Sequence, residues 1–248
     1  MPPAAIRRAR VGRIRVPKSY DVLADHLREQ ILSGKLAEGT TLPAERDLVG
    51  QTGLSRGSVR EALRTLESEG LVHTRPGRHG GSIISRPGHE AVTRFVSLFI
   101  RGRRIQFRSL IETREAIEPM LAELAARHRT AKDVELLKQV TADLEGAYAD
   151  VPRFLVENVN WHNAVAIASH NELLAAFLAS ISNAMHDATA MENFADDEMR
   201  KVVIRAHRRV LEAIVAGDPD AARRRMERHV KAYREQVMPA APSDLSLG

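Results

Sequence analysis

The feature that most constrains the fold is an abrupt change of hydrophobic pattern at RPGH, residues 86–89. From about residue 90 to 236 the apolar residues recur only with helical spacing, and no alternating strand pattern interrupts them. The chain before this point shows shorter helical stripes and one candidate β-hairpin. A length of 248 residues allows one large domain or two small ones, at about 100–200 residues per domain. We therefore predict a mainly α protein of two domains, a winged helix-turn-helix followed by an all-α bundle of about six to seven helices.

The N-terminal domain is predicted over residues 18–86, after a basic flexible arm at 1–17. Its first helix, 19–33, is stopped by Gly34, and its short second helix, 43–51, has Pro43 in the first turn. A third helix, 55–69, is capped by Ser55. The segments LVHT and SIIS then form a hairpin around RPGRHGG.

The bundle is predicted over residues 87–238, with a flexible tail at 239–248. Its helices are separated by Gly, Pro and capping residues, which are the usual helix breakers. The expected helices cover residues 90–100, 106–128, 131–149, 153–169, 172–187, 196–216 and 219–236.

The positive charge is confined to the first third of the chain. Residues 1–88 hold 15 Lys and Arg against 9 Asp and Glu, whereas residues 89–248 hold 22 against 23. Such a local excess indicates a polyanionic partner, either nucleic acid or an anionic membrane surface. The arm is either a simple disordered tail or a segment that follows phosphates, and its cations are Arg7, Arg8, Arg10, Arg13 and Arg15.

Several classes of protein are excluded by composition. The chain has no cysteine, so it contains no disulfide, no thiolate metal site and no cysteine nucleophile. No apolar run approaches the ~18–20 residues that span a bilayer, and the N-terminus lacks the apolar core of a signal peptide. We expect a soluble cytoplasmic protein without a membrane partner.

Two short helices joined by TGLS have the form of a helix-turn-helix DNA reader. The second helix must place small polar and guanidinium groups against base edges in the major groove, and the tip Gly77-Arg78 can lie along the minor groove. Read singly, each arginine more often belongs to an ordinary solvated helix face, and only the basic excess and the hairpin together favour DNA binding. The candidate DNA-binding residues are Arg46, Ser55, Arg56, Ser58, Arg60 and Gly77.

Three of the ten histidines fall on the inward stripes of predicted helices: His162, His207 and His229. A single histidine of this kind is more often a satisfied core residue than a ligand. Three buried imidazoles without partners, however, would cost about 1–3 kcal/mol each. Imidazole is a common ligand of divalent metals, and Asn158, one turn before His162, can add an oxygen.

Arg114 lies on the apolar stripe of its helix, so its guanidinium is expected to point into the bundle. A buried arginine must meet an anion. Glu118, one turn later, can supply that anion within the helix. The alternative is an external carboxylate bound jointly by Arg114 and a metal.

The segments LPAERDLVGQTGLSRGSVREALRTLESEGLV and RPGRHGGSII resemble the winged helix-turn-helix of GntR-type bacterial transcription regulators. The resemblance covers about residues 18–85, and it assigns DNA contacts to the six candidate positions above. Gly57 stands where relatives often carry a polar residue, so one family contact is absent here.

The segments LIETREAIEPMLAELAA, ENVNWHNAVAIASHNELL and AHRRVLEAIVAGDPDAARRRMERHV resemble the helical FCD-type effector domain of the FadR-like branch. The resemblance implies a divalent ion (zinc, nickel or manganese) held by Asn158, His162, His207 and His229, beside a small organic acid that Arg114 contacts. The family usually has Asp at the position of Asn158, and an amide oxygen is the weaker ligand.

These patterns favour a transcription regulator that binds a palindromic double-stranded operator as a homodimer and responds to a small carboxylate metabolite. Two alternatives remain: an architectural DNA-binding protein without an effector, and a metal-dependent enzyme fused to a DNA-binding domain. The enzyme is disfavoured because the inward residues offer no free carboxylate to transfer protons. The architectural protein is disfavoured because its bundle should be apolar inside.

Overall fold

The computed structural model describes residues 17–77, 81–189 and 196–238, which divide into two compact units at residues 88 and 89. Within these ranges the first unit holds three helices and a two-stranded hairpin, and the second holds seven helices. This arrangement confirms the predicted fold class. The elements are α1 Ser19–Leu32, α2 Glu45–Thr52, α3 Arg56–Ser68, β1 Val72–Arg75, β2 Gly81–Ile84, α4 His89–Arg103, α5 Phe107–His128, α6 Ala131–Gly146, α7 Val151–Ala168, α8 Glu172–Thr189, α9 Asp197–Ala216 and α10 Pro219–Val237.

The first unit is built around one apolar core beneath α1, α3 and the hairpin. Leu27 of α1 and Val59 and Leu66 of α3 are buried in it. The antiparallel strands close the core on the hairpin side, where Val72 pairs with Ile84. The apolar stripes of short helices therefore serve one shared interior, which neither helix could form alone.

The turn between α2 and α3 depends on two residues with special backbone roles. Gly53 ends α2 in the left-handed conformation, with φ of 68°, which glycine adopts without steric cost. Ser55 then caps α3 by accepting a hydrogen bond from the backbone N–H of Ser58. The helix α2 begins at Glu45, two residues later than predicted, because the carbonyl of Ala44 is the first helical acceptor. Pro43 thus precedes the helix instead of occupying its first turn.

In the second unit α5 is the central helix, since it contacts α7, α8, α9 and α10. Its apolar face packs with Trp161 of α7, Ile214 of α9 and Met226 of α10 in the largest buried cluster. It also carries Pro119 in its interior. The helix α5 therefore lines most of the interior of this unit, including the part where polar side chains are buried.

Several boundaries in the second unit differ from the prediction by one to three residues, among them those of α4, α6 and α7. The helix α4 continues through Gly102 to Arg103, because one glycine weakens a helix by only about 1 kcal/mol. The helix α7 begins before Pro152, since proline fits the first turn and Asp150 caps the segment through the backbone N–H of Arg153. The helix α6 ends at Gly146, three residues early. Among the described residues no helix is both long enough and apolar enough to cross a membrane.

Candidate functional site

The predicted recognition helix presents its arginines to solvent. Arg56 and Arg60 of α3 are exposed, and Arg46 of α2 keeps 86% of its side-chain surface accessible. Arg60 donates a hydrogen bond through Nη2 to Oε2 of Glu45, at 3.1 Å, so α2 holds one guanidinium of α3 in place. An exposed row of cations on adjacent helices is what contact with a nucleic acid requires.

The two candidate serines are already engaged within the protein. Oγ of Ser55 and Oγ of Ser58 lie 2.9 Å apart, and Ser19 of α1 donates to Oγ of Ser58 at the same distance. Ser58 therefore ties α1 to the start of α3. Gly77 has a φ of 114°, in the region that favours glycine, and its neighbour Arg78 lies outside the described residues. The cations of the arm, Arg7 to Arg15, and the tail after residue 238 also lie outside them.

The three inward histidines come from three helices and meet in the interior of the second unit. They are His162 of α7, His207 of α9 and His229 of α10, and each is at least nine-tenths buried. Nε2 of His229 lies 3.1 Å from Nε2 of His207 and 3.4 Å from Nε2 of His162. One ligand atom from each ring lies within 4.8 Å of the other two. The structure thus brings together residues that are 45 and 22 positions apart in the sequence.

Trp161 fixes the orientation of His207. Its ring stacks on the imidazole of His207 with centroids 3.7 Å apart and an interplanar angle of 7°. Its indole N–H donates to Oγ1 of Thr141 at 3.0 Å, and Thr141 donates in turn to the carbonyl of Leu137. These two hydrogen bonds in series prevent rotation of the indole, and the stacked imidazole is held with it. Nδ1 of His207 is buried without a hydrogen-bond partner in the described structure, so stacking replaces the usual outer contact.

Glu118 of α5 joins the histidines to Arg114. Its Oε1 accepts a short hydrogen bond from Nε of Arg114, while Oε2 lies 2.6 Å from Nδ1 of His162. Burial alone would raise the pKa of Glu118, but the charge of Arg114 and the contact with Nδ1 of His162 hold that pKa far below its usual value. The carboxylate is therefore ionised and orients the ring of His162, with Nε2 turned toward the other two histidines.

Arg114 has more donors than Glu118 can accept. Its Nη2 donates to Nε2 of His162 at 3.1 Å, and its guanidinium lies 5.4 Å from the ring centroid of Tyr233. A third nitrogen, Nη1, approaches Sδ of Met185 at 3.8 Å. The expected ion pair with Glu118 is present. Among the described residues, however, Nη1 has only the weak acceptor Sδ of Met185, and Nη2 has only the imidazole of His162. The guanidinium can therefore accept a further anion without giving up Glu118.

Asn158 lies one helical turn before His162 on α7. Its Oδ1 is buried and has no hydrogen-bond partner within the described part of the chain. A buried amide oxygen left unpaired costs about 1–3 kcal/mol, so such an atom suggests a missing partner. Its position at four residues before His162 places it on the same helix face.

The donor set fits a divalent ion. An ion with bonds of about 2.1 Å to nitrogen separates two such nitrogens by about 3.0–3.4 Å, which spans octahedral and tetrahedral angles. The Nε2 separations of 3.1 and 3.4 Å fall at the two ends of this range. Burial, followed by neighbouring positive charge, lowers the pKa of His207 well below its usual value and lowers the pKa of His229 to about 3. The rings are therefore neutral near pH 7, as metal ligation requires.

Three neighbours of the centre make contacts there that the sequence did not predict. Glu118 was assigned only to Arg114, although it also holds His162, while Trp161 and Tyr233 were treated as ordinary apolar positions. Tyr233 follows His229 by four residues, so helical spacing alone could have placed it at the centre. Trp161 and His207 lie on different helices, so no local sequence pattern predicts that their rings stack.

Comparison with known protein families gives two matches along the chain. Residues 19–79 match the bacterial regulatory proteins of the gntR family, and residues 109–232 match the FCD domain. The first match contains α1 to α3 and the first hairpin strand, β1. The second contains Arg114 and all four candidate ligands, which makes the candidate centre part of the FCD domain.

Individual relatives agree with these matches. An Escherichia coli K12 protein with the provisional name L-lactate dehydrogenase operon regulatory protein is 32% identical over 220 residues, which cover 85% of this chain and 83% of the relative. The Exu regulon transcriptional regulator of the same strain is 29% identical over 224 residues, covering 86% and 81%. The solved structure of Streptococcus agalactiae GntR aligns with a TM-score of 0.64 and 26% identity, covering 87% of this chain and 99% of that one. The chain therefore belongs to the GntR family of bacterial transcription regulators, with an N-terminal DNA-binding domain followed by an FCD domain.

Proposed function

We propose that this regulator binds a palindromic double-stranded operator as a homodimer, and that a small organic acid at a metal-containing centre in the FCD domain changes its operator affinity. In this proposal the protein acts on DNA in the bacterial cytoplasm and is not an enzyme. His162, His207, His229 and Asn158 would hold a divalent ion (zinc, nickel or manganese), and Arg114 would bind the acid. The ion would supply positive charge for a carboxylate.

The convergence of the three Nε2 atoms beside Arg114 carries the effector part of this proposal. Burying three imidazoles and a guanidinium in one interior is expensive unless they bind something. The separations suit an ion, and the spare donors of Arg114 suit a carboxylate at the same place. An architectural DNA-binding protein would have no need of this polar interior.

The exposed arginines of α2 and α3 support the DNA part. A single recognition helix reads few bases, so specificity for a genomic site requires two copies on a symmetric operator. By their names, the two Escherichia coli relatives regulate the Exu regulon and an L-lactate dehydrogenase operon. We therefore include 2-hydroxy acids among the candidate effectors.

Metal and acid titrations test the effector part. Purified protein is first analysed for bound metal, then stripped with a chelator and titrated with Zn²⁺, Ni²⁺ and Mn²⁺ by calorimetry. His207→Ala should lower metal affinity at least tenfold, because one of three imidazoles is removed. L-Lactate, glycolate, malonate and citrate are then added to metal-loaded protein, and operator affinity is measured by fluorescence anisotropy.

Arg114→Lys separates the roles of metal and acid. This variant should keep its metal but lose the change of operator affinity with acid, because an ammonium cannot reproduce the two-point hydrogen bond of a guanidinium. Lys138→Gln, an exposed change on α6, is the matched control and should behave as the wild type. If no metal binds, or if His207→Ala binds acids with unchanged affinity, the histidines are core residues and the proposal fails.

The DNA part is tested on an operator selected from random duplexes. Arg60→Ala should cost about 1–3 kcal/mol on the selected site and relax the preference at one base position. Lys138→Ala serves as the control for loss of a surface cation. Unaltered selectivity of the Arg60 variant would refute the assignment of α3, and a footprint with one unrepeated half-site would refute the dimer.

A further inference from the structure

A second polar feature of the FCD domain lies outside the centre, in a cleft between α9 and α10. The cleft has a volume of about 130 Å³. Small side chains open it, since Ala206 of α9 and Ala232 of α10 both line its walls. This volume accommodates a group of a few heavy atoms, such as a carboxylate or a phosphate.

The cleft is positively charged. Arg209, Arg225 and Arg228 line it. Arg225 is neutralised, because its Nη1 pairs with Glu212 at 3.3 Å and also donates to the carbonyl of Arg209. Arg209 and Arg228 form no ion pair among the described residues. Two arginines that form no ion pair in the described structure therefore line one small cleft.

His229 belongs both to the cleft and to the histidine cluster. It lines the cleft, yet only 7% of its surface is exposed. Its Nε2 faces His207 and His162, whereas its Nδ1 makes no hydrogen bond within the described structure. When Nε2 offers its lone pair inward, the ring proton lies on Nδ1, so the opposite edge of the ring is a donor.

The contrast with His162 shows what His229 lacks. A histidine that binds a metal usually donates its other ring N–H to a carboxylate or carbonyl, and this outer contact strengthens ligation. Nδ1 of His162 lies 2.6 Å from Oε2 of Glu118, so a carboxylate of the chain stands at this outer position. His229 has none from the chain, but it lines a cleft that carries two unpaired cations.

We propose that the cleft between α9 and α10 is a second anion-binding site, in which a small oxyanion is held by Arg209 and Arg228 and accepts a hydrogen bond from Nδ1 of His229. The anion then supplies the outer partner that the chain does not provide. It strengthens ligation by His229, and by reciprocity metal in the centre strengthens binding of the anion. The site is distinct from the acid site at Arg114.

Sulfate and malonate are suitable probes, because one represents a phosphate-like and the other a carboxylate anion. Each is titrated calorimetrically into the metal-free full-length protein at constant ionic strength. The double variant Arg209→Gln/Arg228→Gln should weaken binding of the preferred anion at least tenfold, because both cations are lost. The exposed double variant Lys132→Gln/Lys138→Gln on α6 also removes two positive charges and should leave binding unchanged. Both arginines are exposed, so the variant should fold, which its thermal unfolding checks.

Coupling to the centre is measured as the Ni²⁺ affinity with and without the bound anion. In the wild type the anion should raise Ni²⁺ affinity by about three- to tenfold, below the full effect of an outer partner built into a protein. In the double variant the anion should have no such effect. Arg114→Lys should keep the anion response of the cleft, even though the same change abolishes the acid response proposed for the centre.

Four results would overturn the inference. The first is absence of binding by either anion at about 50 mM, and the second is equal anion binding by the wild type and the double variant. The third is an unchanged Ni²⁺ affinity when the anion is bound, and the last is loss of anion binding in Arg114→Lys. The last result would place the anion in the centre and leave the proposed function intact. Failure of the effector proposal alone would leave anion binding in the cleft unaffected.

Discussion

Replacing Glu118 with glutamine should destabilise the FCD domain strongly. The carboxylate is buried between Nε of Arg114 and Nδ1 of His162, so the change leaves a guanidinium in the interior without its counter-ion. Removing one partner of a buried ion pair costs about 3–5 kcal/mol. The amide can still accept one hydrogen bond from Arg114, which places the expected loss at about 3 kcal/mol, the lower end of that range.

Denaturant unfolding followed by fluorescence measures this loss. Trp161 is the one tryptophan of the chain, so its emission reports the second unit and not the first. Glu112→Gln is the matched control, because Glu112 pairs with Arg108 at the same four-residue spacing on α5, but at the surface. An exposed pair of this kind contributes about 0.3–0.5 kcal/mol. Equal costs for the two variants would refute the claim that burial makes the Glu118 pair different.

The pH dependence gives a second test of the same pair. The pKa of Glu118 is lower in the folded protein than in the unfolded chain, where it is about 4.3. Its contribution to stability is therefore complete above that pH and is lost as the pH falls toward the folded pKa. The difference in unfolding free energy between the wild type and Glu118→Gln should shrink steadily below about pH 4. A difference that is constant between pH 7 and pH 3 would contradict the assigned ionised state.

Two further changes test contacts at the end of α9 and beside the centre. Gly217→Ala should lower the unfolding free energy by about 1–3 kcal/mol, because φ is 69° and the new Cβ would displace Arg129 from the two carbonyl groups to which it donates. Gly146→Ala is the control, since its Cβ would enter open space at the end of α6, and it should be neutral or slightly stabilising in the same unfolding assay. Thr141→Val should leave the indole N–H of Trp161 unpaired and lower the unfolding free energy by about 1–3 kcal/mol. It should also weaken Ni²⁺ binding measured by calorimetry, and an unchanged Ni²⁺ affinity would show that Trp161 does not position the metal ligands.

The helices could be predicted because their apolar stripes are long and regular. The same stripes identified the inward histidines and Arg114, since a polar residue on an apolar stripe must point into the core. Boundaries were less certain, as Pro152 shows: proline was taken as a break, although it is also favoured in the first turn of a helix. The sequence contains both signals, and only the cap at Asp150 distinguishes them.

The details of the centre depend on contacts between distant residues. Helical spacing predicted that Glu118 could reach Arg114, because both lie on α5. It could not predict the contact with His162, which lies 44 residues later on another helix. The stacking of Trp161 on His207 likewise depends on how α7 and α9 pack. Such contacts are products of the tertiary fold, so a single sequence leaves them open.

The proline inside α5 gives the buried ion pair between Arg114 and Glu118 a role in supporting the helix as well. Pro119 has no N–H, so the carbonyl of Glu115 lacks its helical donor in the turn next to Glu118. The ion pair between Arg114 and Glu118 spans the same turn of α5, one residue before the missing backbone bond. A side-chain bridge therefore takes the place of a backbone rung, and α5 keeps its continuity where its own ladder is interrupted. Selection acting on this pair would then preserve the continuity of a central helix even in a descendant that had lost every ligand.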